Sequence, residues 1–284
     1  MTITRPAMRY HGSKFRLADW ILPLLPAHRC YVEPYGGAAG VLLRKPRAEV
    51  EVYNDLDGDM VNFFRVLRDA QACAELIRQL ELTPYARAEF ELAWQPADCP
   101  IERARRTCIR AQMGFGSAGA TKQTTGFRTY TRERFGQSVQ VDWVKYPAHL
   151  ACVAQRMQGV LIEQRPALQV MADHDGADTL HFIDPPYLHS TRSKPRGALR
   201  TTAYRHEMTD ADHAELLTAA QGLRGLVLLC GYASELYHDT LRGWLRLDKV
   251  TRAASGQSGS APRTESLWLN PQAAEAQQQG RLIA

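Results

Sequence analysis

An apolar run, Thr179-Leu180-His181-Phe182-Ile183, stops abruptly at Asp184-Pro185-Pro186-Tyr187. The run reads as a buried strand, and the prolines forbid its continuation. Each fixes φ at about −65° and lacks the N–H that a sheet ladder needs. A strand that ends this way sets a carboxylate, carbonyl oxygens without competing donors and an aromatic side chain at one edge of a sheet. Open α/β sheets bind ligands just outside the carboxyl ends of their strands. These groups suit a flat ring with an exocyclic amine: the oxygens take the amine hydrogens and Tyr187 stacks on the ring. The alternative is a strand-ending turn in which Tyr187 only packs.

The rest of the chain supplies the sheet. Strands are expected at 31–33, 50–53, 160–163, 180–183, 226–231, 245–250 and 266–269. Helices are expected at 13–25, where Pro23 and Pro26 close it, and at 57–82. In the latter, Met60, Phe63, Phe64, Leu67 and Leu76 fall at helical spacing. Two more helices are expected within 84–113 and one at 209–221, whose Asp210 and Asp212 suit a helix N-terminus. Residues 114–140 read as loops or a short hairpin, and 253–261 as a Gly/Ser-rich connector. An α/β alternation interrupted once predicts a doubly wound, Rossmann-like sheet from residues 1–57 and 151–284, with a mainly helical domain, 58–150, inserted. Two sequential domains would leave the first with two strands, too few for a stable sheet.

Composition narrows the function classes. With 284 residues, 45% hydrophobic and 23% charged, the chain can build a sizeable core. Its longest apolar stretch, around 226–230, is too short to cross a bilayer, and the N-terminus lacks the apolar core of a secretory signal. A cytoplasmic location and no membrane partner are therefore expected. The six cysteines (Cys30, Cys73, Cys99, Cys108, Cys152 and Cys230) are scattered without a C-x-x-C pair, so free thiols and no bound metal are expected. His206, Asp210 and His213 read as a helix start rather than a metal site. The net charge of +5 permits a polyanionic partner.

A second segment, Tyr31-Val32-Glu33-Pro34-Tyr35-Gly36-Gly37-Ala38-Ala39-Gly40, runs from a strand through a glycine-rich turn into an expected helix, Val41-Leu42-Leu43-Arg44. Glycines let backbone approach a ligand closely. Glu33 disfavours a pyrophosphate and favours a cationic group such as a sulfonium or an amine. A purely structural turn is the alternative. The next strand ends at Tyr53-Asn54-Asp55-Leu56, and Rossmann-like folds hold ribose hydroxyls with an acid at that place. Asp55 or Asp57 could also cap the following helix, and both readings can hold together.

Tyr10-His11-Gly12-Ser13-Lys14, Glu33-Pro34-Tyr35-Gly36-Gly37, Tyr53-Asn54-Asp55-Leu56 and Asp184-Pro185-Pro186-Tyr187 occur in that order. The order resembles the Dam-type, alpha-group adenine-specific DNA methyltransferases over nearly the whole chain, including the closing Arg263-Thr264-Glu265-Ser266-Leu267-Trp268-Leu269-Asn270-Pro271. The resemblance implies a Rossmann-like S-adenosylmethionine-dependent methyltransferase sheet with an inserted target-recognition domain, and double-stranded DNA as partner. It implies a bacterial or phage origin and a monomer, with a dimer on DNA as the alternative. It implies that Tyr10, Lys14, Glu33, Pro34, Tyr35, Gly36, Gly37, Ala38, Asp55, Leu56 and Asp184 bind the cofactor. Asp184, Pro185, Pro186 and Tyr187 form the catalytic turn. The family often has glycine where this chain has Ser13 and Ala39, which puts the loop geometry and cofactor affinity in question.

The implied chemistry needs no strong base. Hydrogen bonds from the adenine amine to Asp184 and the Pro185 carbonyl would draw its nitrogen toward tetrahedral geometry and expose a lone pair for the methyl group. In duplex DNA the base must first be flipped out. Lys122, Arg128, Arg132 and Arg134 lie in a stretch interleaved with hydroxyls and aromatics. Arg192, Lys194, Arg196, Arg200 and Arg205 form an acid-free run after the catalytic turn. Both suit phosphate and base contacts. A protein-glutamine or RNA methyltransferase is the nearest rival, and Asp184 with the basic insert argues against it. A dinucleotide-dependent oxidoreductase lacks support, because Glu33 stands at the turn and no full G-x-G-x-x-G is present.

Overall fold

The computed structural model describes residues 3–121, 125–129, 138–192, 203–252 and 262–283. Its strands are β1 (Cys30–Glu33), β2 (Val50–Asn54), β3 (Leu161–Glu163), β4 (Thr179–Ile183), β5 (Leu226–Gly231), β6 (Leu245–Arg252) and β7 (Pro262–Leu269). They form one sheet in the order β3-β2-β1-β4-β5-β7-β6. β1 to β5 are parallel, and β7 runs antiparallel between β5 and β6. β1 sends the chain outward through β2 to β3, whereas β4, on its other side, leads to β5. The switch point of this open sheet, where a ligand crevice is expected, therefore lies at the carboxyl ends of β1 and β4. Glu33 and Asp184 stand at those two ends.

Side-chain alternation divides the core between the two faces of the sheet. Tyr31, Tyr53, Leu180, Phe182 and Leu228 face one cluster, which continues into Met60, Phe63, Phe64 and Leu67 of helix Gly58–Arg68 and Leu150 and Val153 of helix Tyr146–Met157. Ile183, Val227 and Leu229 face the other cluster, with Leu216 and Leu217 of helix Asp210–Gln221. β4 and β5 are buried along their whole length, as parallel strands covered on both faces must be. The edge strand β6 carries Arg246, Asp248 and Lys249, charges that discourage edge-to-edge pairing.

Three local expectations change. The helix expected at 13–25 is a chain of short turns: 3-10 helix Lys14–Arg16, helix Ala18–Ile21 and 3-10 helix Leu22–Leu24. The long helix expected at 57–82 is two, Gly58–Arg68 and Ala70–Leu82. Asp69 adopts extended backbone between them, and its carboxylate accepts from Ala72 N, so it caps the second helix. The segment 41–44 is a succession of turns rather than a helix, because the buried Glu33 carboxylate takes the Leu42 amide. The remaining helices between β2 and β3 include Arg87–Leu92, Pro100–Met113 and Val139–Val144. No helix of the described residues is long and apolar enough to cross a membrane.

Candidate active site

A cleft opens at the switch point, where open α/β sheets hold their ligands. Tyr10, Lys14, Glu33, Pro34, Tyr35, Gly36, Gly37, Ala38, Asp55, Leu56 and Asp184 all line it, together with Pro186. Pro185 and Tyr187 stand outside the lining.

The glycine turn is held from below. Tyr53 donates its hydroxyl to Gly37 O at 2.7 Å, Asn54 Nδ2 donates to Pro34 O at 2.9 Å, and the Asp55 carboxylate accepts Gly37 N at 2.7 Å. A side chain at Gly36 would run into the Tyr53 ring. Gly37 has φ +48°, and a Cβ there would meet the Tyr10 ring at 2.7 Å. Ala39 also has positive φ, +53°, and is fully buried. A left-handed conformation strains any residue with a Cβ. Ala39→Gly is therefore expected to raise stability by about 1 kcal/mol, read as the urea midpoint of unfolding; a lower midpoint would contradict this. At the other departure, Ser13, the hydroxyl accepts from Phe15 N at 3.4 Å and opens the short helix carrying Lys14.

Three carboxyls define the electrostatics. Glu33 accepts from Tyr31 Oη and Leu42 N, both at 3.1 Å; burial pushes it up to about 8 despite these bonds. Asp55 accepts from Asp57 N at 2.8 Å as well as from Gly37 N, and burial raises it to about 6. The helix cap is Asp57, which accepts Asp59 N at 2.9 Å. Asp184 is the third. Lys14 Nζ lies 2.6 Å from its Oδ1 and 2.9 Å from its Oδ2, while also donating to Gly12 O at 3.1 Å. Burial works against the Lys14 charge, but the Asp184 carboxylate more than offsets it and holds the ammonium above its ordinary pKa. Asp184 Oδ1 is buried and, despite the nearby ammonium, has no hydrogen bond of good geometry.

Tyr187 lies behind this pair. Lys14 Nζ sits 4.7 Å from its ring centroid, the Tyr232 ring meets it edge-on at 4.7 Å, and its hydroxyl donates to Glu265 Oε2 at 2.8 Å.

Segment 203–208 closes one side of the cleft through Tyr204, Arg205, His206, Glu207 and Met208. Glu207 Oε1 accepts the Ala203 and Tyr204 amides. Arg205 pairs with Asp57 at 3.1 Å and Asp59 at 2.5 Å, and Asp59 also pairs with Arg103 and Arg110 of helix Pro100–Met113. Sequence reasoning placed Arg205 in a basic run and missed this wall. The available signal was Tyr204, an aromatic beside Glu207, the acid that ends the run.

The expected DNA contacts divide. The Arg128 guanidinium is largely buried against Asp142 and Gln112 O, and Arg192 is largely buried against Glu207 at 2.7 Å. Lys122, Arg132, Arg134, Lys194, Arg196 and Arg200 lie outside the described residues. Close to Arg128, Phe115 stands 52% exposed between Gly114 and Gly116, and its amide pairs with Gly126 O. His213 is a buried helix residue bonded to Tyr237 Oη at 2.9 Å. Among the described residues no three His, Cys, Asp or Glu side chains converge as metal ligands.

Sheet order and cleft together define a Rossmann-like methyltransferase fold. Residues 10–224 match the D12 class N6 adenine-specific DNA methyltransferases, and the chain belongs to that family. It is similar to the DNA adenine methylase of Escherichia coli strain K12, 23% identical over 281 residues covering 94% of this chain and 95% of that protein. The DNA adenine methylase of Salmonella typhi is also 23% identical, over 285 residues and the same shares. That of Haemophilus influenzae is 34% identical over 65 residues, 22% of each chain. The chemistry of the family, methylation of adenine N6 in DNA, is thereby the chemistry of this chain.

Proposed function

We propose that the protein uses S-adenosylmethionine to methylate a flipped adenine in double-stranded DNA, with Asp184-Pro185-Pro186-Tyr187 receiving the target amine. One observation carries this reading. A protonated amine, Lys14 Nζ, already rests against both oxygens of Asp184 and over the Tyr187 ring. It marks the place where the N–H groups of adenine would be taken up.

The residues present fit the cofactor. Glu33 suits the cationic methionine end and Asp55 suits the ribose, and both line the cleft beside the glycine turn. Bound there, S-adenosylmethionine supplies an electrophilic methyl group. Asp184 and the Pro185 carbonyl accept the two amine hydrogens, which localises the nitrogen lone pair and aims it into the cleft. Because both acceptors are fixed beforehand, the site reorganises little as charge develops. The helical segment between β2 and β3, with 58–150 as its recognition domain, presents the DNA. Arg128 in that segment and Arg192 after β4 serve through their ion pairs with Asp142 and Glu207, and Lys122, Arg132, Arg134, Lys194, Arg196 and Arg200 contact phosphates or bases.

Two measurements test this reading. Once the methylated adenine is mapped on plasmid DNA, 2-aminopurine placed there should brighten on binding; unchanged fluorescence would contradict flipping. The second concerns pH. Glu33 at about 8 and Asp55 at about 6 lie above their ordinary values of 4.5 and 3.8. The folded chain then binds more protons than the unfolded one. The stability this gives is complete below about pH 4 and is lost as pH rises through 6 and 8. The melting midpoint of the cofactor-free protein is expected to fall between pH 6 and pH 9. S-adenosylmethionine, whose charge favours ionised Glu33, should raise it more at pH 9 than the uncharged-sulfur product S-adenosylhomocysteine does. Equal shifts would contradict Glu33 facing the cation.

A further inference from the structure

The Tyr187 ring is the surface on which the flipped base is to stack, yet nothing in Asp184-Pro185-Pro186-Tyr187 fixes its orientation. Prolines donate no backbone hydrogen bond, so the ring is oriented by what packs around it and by what holds its tip. The tip is held by Glu265 on β7, whose Oε2 accepts the Tyr187 hydroxyl at 2.8 Å. β7 is a rigid anchor, paired on one side with β5 and on the other with β6. The Tyr232 edge contact braces the ring.

Burial pushes the Asp184 carboxyl up, and the Tyr187 hydroxyl is among the groups, after Lys14, that hold it down. The hydroxyl has a single proton, so donation to Glu265 keeps that proton away from Asp184. The Asp184 oxygens, which Lys14 Nζ contacts at 2.6 and 2.9 Å, are thereby spared a second donor. We propose that Glu265 is a positioning residue for methyl transfer. It takes the Tyr187 proton, which orients the ring for stacking and keeps that proton off the Asp184 oxygens that are to accept the adenine amine. This inference rests on the assignment of the target amine to Asp184 and Tyr187.

The experiment uses the full chain, plasmid DNA from a methylation-free host and methyl-labelled S-adenosylmethionine. Losing a hydrogen bond to a charged acceptor corresponds to a fall in rate of about tenfold to a hundredfold. Glu265→Ala is expected to lower kcat by that factor while leaving the KM for cofactor and the binding of DNA unchanged. Glu265→Gln, which still offers an acceptor oxygen, should recover most of the loss. Tyr187→Phe should match Glu265→Ala, and combining the two should cost no more than either alone. Should Glu265→Ala fail to fold, Tyr187→Phe against Glu265→Gln decides by itself. Wild-type kcat in Tyr187→Phe, equal losses in the Gln and Ala variants, or additive losses in the double variant would each overturn the proposal. A wild-type enzyme that labels no adenine would instead overturn the assignment of the amine.

Discussion

Asp184→Ala is expected to reduce methyl transfer to DNA by about a thousandfold, the upper end for removing one preorganised polar group from a developing charge. It should also destabilise the fold, because Lys14 keeps an ammonium, 7% exposed, whose counter-ion has gone. Breaking one side of a buried pair costs about 3–5 kcal/mol. Adding Lys14→Met to Asp184→Ala should restore much of that stability and none of the turnover. The pair of variants therefore separates chemistry from folding: denaturant midpoints report the ion pair, and single-turnover rates report the amine acceptor. A double variant that regained methyl transfer would show that the Asp184 carboxylate is not the acceptor.

The second large effect should fall on binding. A Cβ at Gly36 has no room, because the Tyr53 ring occupies its place and Tyr53 is fully buried. Gly36→Ala must displace either the turn or that ring, and the ring's hydroxyl holds Gly37 O at 2.7 Å. Overpacking of this kind costs about 1–3 kcal/mol. Borne by the cofactor loop, it should weaken S-adenosylmethionine binding by about tenfold to a hundredfold, with kcat at saturating cofactor much less affected. Titration calorimetry checks the first part and steady-state kinetics the second. A fall in kcat with unchanged affinity would move the role of Gly36 from binding to chemistry.

The legible parts of this fold were those whose physics is local. β4 and β5 announced themselves as short apolar runs, and Asp184-Pro185-Pro186-Tyr187 announced the end of β4, because proline acts on its own backbone. Glu33, Asp55 and Lys14 were found by residue type and order, and the cleft gathers them together. The errors came where a distant partner decides. Residues 41–44 have a helical composition, but Glu33 captures the Leu42 amide. Asp69 is an ordinary polar residue in the pattern, yet it breaks one helix to cap the next. Arg128 and Arg192 looked like free cations because Asp142 and Glu207, their partners, lie 14 and 15 residues further along. Glu265 carries no signal before the sheet brings β7 beside the catalytic turn.

The site as a whole depends on one act, the acceptance of an adenine amine by Asp184. The most direct test is to incubate the protein with unmethylated duplex DNA and methyl-labelled S-adenosylmethionine, digest the DNA and separate the nucleosides. Label is expected in N6-methyldeoxyadenosine alone, and to disappear with Asp184→Ala. Label on cytosine, label on protein with none on DNA, or undiminished N6-methyldeoxyadenosine from the Asp184→Ala variant would contradict it.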